Sequence, residues 1–370
     1  EYEAVKFSHA FHRHCDNNDL RRELAILRRK EQQQQKRISA LKPIGEGILE
    51  HTIGYEQLAV DLTAIFAERE SNKYVQQAMN FALLEDFDHL YRYGLIAANL
   101  LEMDKGVIAE RLVGKYTELM PGRPTIAEHR FPADDVKRFV NYKQATSLTK
   151  LDINILTAAE QQTMNYYMNQ AAFYQNNLGR QLYTEIGMIE EQHVTLYGGL
   201  MDTTCTWLED LLMHEYTECY LYYSLMCDET DTHIKRIWEQ HFNDELAHLH
   251  TAAALLQKYE NKVAEQVIPQ AEFPELLSFR SNVEYVRQVL GNTVNLTAQK
   301  EDYIDVAQLK DTAPFYEYQH QVNARDDIVP SHNIIKKYIT DNRKDYRFET
   351  AAHPVEELRD RKHDNTTIGR

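Results

Sequence analysis

Apolar residues in this chain recur mostly at intervals of three and four, the repeat that lines one face of a helix. ILEHTIGYEQLAVDLTAIFAERE carries Leu58, Leu62, Ile65 and Phe66 at that spacing, with Pro43 and Gly45 punctuating its start. SNK (Ser71–Lys73) reads as a turn. YVQQAMNFALLEDFDHLYRYGLIAANLLEMDK resumes the helical pattern, and Gly106 is its expected C-terminal stop. After an irregular interval the pattern returns near Asp152, a candidate cap, and runs through ILTAAEQQTMNYYMNQAAFYQ. NNLG (Asn176–Gly179) turns the chain into RQLYTEIGMIEEQHVTLY, which Gly198–Gly199 is expected to end. TWLEDLLMHEYTECYLYYSLM, the turn DETDT (Asp228–Thr232) and HIKRIWEQHFNDELAHLHTAAALLQKYE close the series near residue 260.

The flanks are less regular. Residues 1–40 read as a polar arm, in which LRRELAILRRKEQQQQKR sets Leu20, Leu24 and Leu27 on one stripe of a surface helix. His9, His12, His14 and Cys15 form a cluster of metal-ligand types, but a solvated or poorly ordered arm is the expected reading. The connection 111–150 contains MPGRPTIAEHRFPADD, with three prolines, and should cross the surface before a short helix in VKRFVNY. Beyond 260, PELLSFRSNVEYVRQVLG and HNIIKKYITDNRKDY are the expected helices of a C-terminal extension, 261–370, whose end is polar. The pattern predicts an all-α chain: an arm over 1–40, a first helical hairpin over 41–110, the connection, and a block of helices over 151–260.

Three of the predicted hairpins share a chemical spacing. Glu56 is followed by Asp86 and His89, Glu160 by Glu190 and His193, and Glu215 by Glu245 and His248. In each, the glutamate stands 30 residues before the second acid and 33 before the histidine. An acid-x-x-His step puts both side chains on one helix face. The chain holds five such steps, but Arg287 and Pro330 stand thirty residues before Glu317 and Asp360, so the Glu317/His320 and Asp360/His363 steps lack the glutamate. The midpoints of the three complete sets fall on the three predicted turns. Each glutamate therefore stands level with its acid-x-x-His partner on the neighbouring helix, within reach across a helix-packing distance of about 8–10 Å. Two such hairpins supply four carboxylates and two imidazoles, a donor set that suits two iron or manganese ions. Buried without a cation, four acids would repel one another.

Composition narrows the alternatives. A net charge of −16 argues against nucleic-acid binding through a basic face. The four cysteines form no C-x-x-C pair, so they build neither a rubredoxin nor a zinc-ribbon site, and a reduced, cytoplasmic protein is expected. No apolar run approaches a membrane span, and the first residues show no signal-peptide core. Tyr166, Tyr167, Tyr220, Tyr222 and Tyr223 lie within two turns of the candidate glutamates, and Tyr183 and Tyr197 flank the Glu190 step. They are expected to fill the core with the hydroxyl at its edge, and Cys219 to be a small apolar filler.

On these motifs the region 152–260 resembles the ferritin-like dimetal-carboxylate superfamily, which includes rubrerythrins, ferritins, manganese catalases and di-iron oxidases or hydroxylases. The resemblance implies a ferritin-like antiparallel helical bundle with an additional N-terminal hairpin and a C-terminal helical extension. It makes Glu160 and Glu215 the single-glutamate ligands, Glu190 and Glu245 the acids of the two E-x-x-H steps, and His193 and His248 the nitrogen ligands. It implies two iron ions, or manganese or a mixed pair, and activation of oxygen or peroxide by an oxidase- or peroxidase-type oxidoreductase. Without a built-in rubredoxin, a peroxidase of this kind needs an external electron donor. A homodimer is compatible with it. Metal binding or ferroxidase-type storage without an organic substrate is the alternative, and a structural helical protein with a relic site is the third. Three hairpins are present where two suffice. The first, with Asp86 in place of glutamate and Glu85 beside it, offers the other partner set, Glu56, Asp86 and His89. The short loop between hairpins two and three departs from the long crossover of the superfamily. Hairpins two and three are preferred because both keep E-x-x-H intact.

Overall fold

The computed structural model describes residues 1–100, 128–270, 272–323 and 329–343. Gly106, residues 111–127 of the proline-containing connection, the Asp360/His363 step and the polar C-terminal stretch lie outside the described residues. Among the described residues the chain is mostly helical. The helices are α1 (Tyr2–His14), α2 (Asn18–Ser39), α3 (Ile48–Arg69), α4 (Lys73–Leu100), α5 (Ser147–Phe173), α6 (Asn177–Leu200), α7 (Trp207–Asp228), α8 (Thr232–Glu260), α9 (Val283–Thr293), α10 (Pro314–Val322) and α11 (Pro330–Asn342). A two-stranded antiparallel hairpin, β1 (Leu296–Gln299) and β2 (Asp302–Asp305), stands between α9 and α10. It was not expected, because four-residue strands are too short to show a period of two. Lys300 takes a left-handed conformation (φ 55°) at its tip.

Local chemistry explains the helix starts. Asn17 Oδ1 accepts from the backbone N–H groups of Asp19 and Leu20 ahead of α2. Asn176 Oδ1 does the same for Leu178 and Gly179 ahead of α6. Thr206 and Glu209 cap each other reciprocally at the head of α7, and Asp231 caps α8. Asp152 is not a cap. Helix α5 begins five residues earlier, where Thr146 Oγ1 accepts from Thr149 N–H at 3.1 Å, and Asp152 is buried inside the helix. Nor does Gly198–Gly199 end α6, which continues to Leu200. Gly199 is there for a close approach: a Cβ at this position would lie 2.9 Å from the Lys137 backbone nitrogen. VKRFVNY is not a helix. A short 3-10 turn, Pro132–Asp135, precedes it, and Lys137 Nζ donates to the Lys300 carbonyl at 3.1 Å, tying this segment to the β-hairpin tip.

The chain divides into two compact units, each built from separated stretches. The first comprises 1–45, 139–158 and 201–279, and the second the described parts of 46–138, 159–200 and 280–370. The division cuts the expected 151–260 block twice.

In the first unit, Phe11, Leu20, Leu24 and Leu27 form one core with Leu208, Leu211, Leu212, Ala252, Leu255 and Leu256. The N-terminal 40 residues are therefore not a solvated arm. Ala4, Ser8 and Phe11 make a buried stripe on α1, and the Leu20–Leu24–Leu27 stripe of α2 continues through buried Glu31 and Gln34. The core of the second unit gathers Ile53, Val60, Leu83, Phe87 and Leu90 with Tyr167, Leu182, Ile186, Val286 and Leu290. No described helix is long and apolar enough to cross a membrane.

Candidate metal centre

Two hairpins meet inside the second unit. Helix α3 carries Glu56, α4 carries Asp86 and His89, α5 carries Glu160, and α6 carries Glu190 and His193. Glu56, Asp86, His89 and Glu190 offer ligand atoms all within 4.8 Å of one another, and so do Asp86, Glu160, Glu190 and His193. Asp86 and Glu190 belong to both groups. The arrangement is two overlapping sets with one imidazole each and a shared pair of carboxylates.

Both imidazoles turn the same nitrogen inward. His89 Nδ1 lies 3.1 Å from Glu190 Oε1 and 3.9 Å from Glu56 Oε2. His193 Nδ1 lies 3.0 Å from Asp86 Oδ1, 3.3 Å from Glu190 Oε2 and 3.7 Å from Glu160 Oε2. The ring centroids are 6.1 Å apart. On the outer side, His193 Nε2 donates to Glu85 Oε2 at 2.8 Å. That bond fixes a proton on Nε2 and leaves Nδ1 to face the carboxylates. Glu85, which the sequence offers as a competitor of Asp86, thus points away from both groups and supports a histidine instead. Glu85 is paired in turn with Arg130, which also binds Asp135 at 2.6 Å. His89 Nε2 lies 4.0 Å from Glu128 Oε2, and Glu128 pairs with Arg92, which holds Asp88 as well. Tyr167 donates its hydroxyl to Glu56 Oε1.

The six inward residues are at most 2% exposed. Two unit charges 4 Å apart interact by about 4 kcal/mol at an effective dielectric of 20. Four carboxylates at this spacing therefore oppose a fold whose whole stability is roughly 5–15 kcal/mol, unless protons or cations neutralise them. Without a cation, protons do so. Burial, then the Asp86 charge, pushes Glu56 well above the usual carboxylate range. Burial, then Glu160, pushes Asp86 up to about 7. Glu190 is raised by burial and by Glu160 and Glu56. Burial would lower His193, but Asp86 and the other carboxylates hold it well above its ordinary value. Burial and the Arg92 charge hold His89 well below its own. Even so, Glu56 Oε2, both Asp86 carboxylate oxygens, Glu160 Oε2, Glu190 Oε2 and His193 Nδ1 make no hydrogen bond. Buried ligand-type atoms that make no hydrogen bond and converge in two groups fit a pair of cations.

A metal needs these groups deprotonated, so loading must expel the protons they carry. With Asp86 pushed up to about 7 in the folded chain from an ordinary 3.8, the carboxyl is mostly protonated at pH 6 and mostly ionised at pH 8. Metal titration of the metal-free chain is expected to release more protons per ion at pH 6 than at pH 8, and to show tighter binding at pH 8. Calorimetry in two buffers of different ionisation enthalpy measures both.

The third hairpin stands in the first unit. Glu215 on α7 and Glu245 and His248 on α8 form one group with Glu31 of α2. The six residues preferred from the sequence as one site, Glu160, Glu190, His193, Glu215, Glu245 and His248, thus fall into separate groups. Hairpin two groups with hairpin one, and hairpin three with the N-terminal helices. The physical reason is that each hairpin buries its ligand-bearing face against the hairpin that complements it, whereas sequence proximity across the short Met201–Cys205 loop sets no such pairing. In the first unit His248 Nδ1 lies 2.8 Å from Glu31 Oε1, 3.0 Å from Glu245 Oε2 and 3.6 Å from Glu215 Oε2.

Glu31 was missed because no histidine follows it at the third position. Gln34 stands there, and a search for acid-x-x-His steps passes over it. Its signal was in the sequence nonetheless: Glu31 and Gln34 extend the Leu20–Leu24–Leu27 stripe, and Glu1 stands 30 residues before Glu31. Tyr167 and Tyr222 also do more than fill space, since each donates its hydroxyl to a glutamate, Glu56 and Glu1 respectively. Cys219 is buried and free, in keeping with a filler. Comparison with protein-family models, with curated proteins and with solved structures finds no match to this chain.

Proposed function

We propose that the second unit is a ferritin-like antiparallel bundle whose crossed hairpins hold two iron or manganese ions, and that the protein is an oxidoreductase acting on dioxygen or peroxide. The observation that carries this reading is the pair of overlapping four-residue groups that share Asp86 and Glu190. Glu56 and His89 complete one coordination set, and Glu160 and His193 the other. Four carboxylates and two imidazoles favour iron or manganese over softer ions. Such a pair supplies Lewis acidity and two electrons at a site from which bulk water is excluded.

The protein's own part is positioning and proton control. Glu85 and Arg130 hold His193 in one orientation and tautomer. Glu128 and Arg92 stand behind His89. The Tyr167 hydroxyl restrains Glu56 and places an O–H beside the centre. A cavity of about 240 Å³, lined by His129, Glu185, Met188 and Val322 among others, abuts this charged surround. Glu185 Oε1 lies 3.8 Å from an Arg92 nitrogen and 3.7 Å from His129 Nε2. Peroxide reduction to two waters takes two electrons and two protons, and the electrons come from an external donor, because the chain has no C-x-x-C iron site.

The test is metal analysis of chain reconstituted with ferrous or manganous ion, followed by oxygen uptake and peroxide consumption with a reductant. Two ions in the second unit with turnover are expected, and His193→Ala should lose at least one ion and the turnover. Bound ions without turnover would move the reading to storage. Retention of both ions by His193→Ala would sink the ligand assignment.

A further inference from the structure

We propose that the first unit holds a single divalent transition-metal ion on Glu31, Glu215, Glu245 and His248. The two units are offset copies of one ligand pattern. Adding 55 to Glu1, Glu31 and Gln34 gives Glu56, Asp86 and His89, and adding 55 to Glu160, Tyr167, Glu190 and His193 gives Glu215, Tyr222, Glu245 and His248. The contacts follow the same shift. Tyr222 donates to Glu1 as Tyr167 donates to Glu56. Gln34 Nε2 donates to Glu245 Oε1, where His89 Nδ1 meets Glu190 Oε1.

The copy differs in one decisive position. The group formed by Glu31, Glu215, Glu245 and His248 matches the Asp86, Glu160, Glu190 and His193 group member for member. The counterpart of the other group has an amide in place of its imidazole. Gln34 turns its Nε2 toward Glu245 Oε1, and an amide N–H has no lone pair to give, so in this orientation a donor stands where an imidazole nitrogen would face a second ion. The remaining set still asks for one cation. Glu31 is 3% exposed and its Oε2 makes no hydrogen bond, and Glu215, 2% exposed, leaves its Oε2 without one as well. Three carboxylates and one imidazole suit Mn²⁺ or Fe²⁺.

The experiment loads the full, metal-free chain with Mn²⁺ alone under anaerobic conditions and reads metal content together with the electron paramagnetic resonance spectrum. Three ions per chain are expected, one giving an isolated six-line signal and two a spin-coupled pair. His248→Ala should lose one ion and the six-line signal while keeping the coupled pair. Gln34→His should gain an ion and convert the isolated signal into a second coupled one. Unchanged metal content in His248→Ala, with native helix content by circular dichroism, would overturn the proposal; if that variant does not fold, Glu31→Gln is read the same way. A Gln34→His chain that gains nothing would overturn the role given to the amide. A six-line signal that His248→Ala abolishes, with no coupled pair in the parent, would leave this site standing and remove the one proposed for the second unit.

Discussion

Asp86→Asn is expected to strip both ions from the second unit, whereas Glu160→Gln should cost only one. The difference follows from membership: Asp86 belongs to both overlapping groups, Glu160 to one. Asparagine keeps the shape of the side chain but not the charge that neutralises two cations. The same substitution separates a ligand from a structural residue. Burial and the neighbouring Glu160 charge push the Asp86 carboxyl up to about 7 in the folded, metal-free chain, from an ordinary 3.8. An acid whose folded value is raised destabilises the fold once pH exceeds the unfolded value, with the full cost reached above the folded one. The metal-free variant should therefore melt at or above the temperature of the metal-free parent at pH 8, with a smaller gain near pH 4. Metal content by mass spectrometry and thermal melts at the two pH values check both statements. Two ions retained in the second unit, or a metal-free variant much less stable than its parent, would assign Asp86 another role.

The second large effect lies one layer out. Arg130→Met is expected to destabilise the chain by about 3–5 kcal/mol, the usual consequence of removing one partner from a buried ion pair. Arg130 and Glu85 are each 0% exposed and Asp135 is 1% exposed, so the variant leaves two buried acids without their cation. Glu85 also receives the His193 Nε2 proton. The loss should reach the metal centre as weaker binding on the His193 side, by roughly 10–100-fold. Adding Glu85→Gln to Arg130→Met should recover part of the stability but not the affinity. Urea unfolding and competitive metal titration distinguish the two, and a single variant with unchanged stability would show that the acids find another cation.

Much of this was legible in the chain itself. The helical period located α3 through α8 to within a few residues, because each buries one face. The 30-and-33 spacing picked out every residue of the two grouped sets in the second unit, because a level register across a hairpin is a property of length alone. Which hairpins associate was legible only as a choice: the short loop between hairpins two and three spoke for the partner set of hairpin one, and the intact E-x-x-H steps against it, because association depends on the complementarity of whole faces. Residues 1–40 look polar because α2 carries many Arg and Gln residues on its open side, and these mask a narrow buried stripe. Arg92, Glu128 and Arg130 were invisible for a different reason: an ion pair buried by tertiary packing has no local pattern.

The two ligand sets are nested along the chain, and nesting fixes an order of assembly. During synthesis every proposed ligand of the second unit has emerged once His193 is made, while the set proposed for the first unit waits for His248. The closing contact between Gln34 and Glu245 spans 211 residues, against 101 for His89 and Glu190. A doubled loop adds only about 0.6 kcal/mol of closure entropy, so the two closures differ little at equilibrium. They differ in time. Helix α1 can cover part of the Leu20–Leu24–Leu27 stripe as soon as it is made, but the face that meets Leu208, Leu211, Leu255 and Leu256 stays open until α7 and α8 emerge, after the residues of the other set are complete.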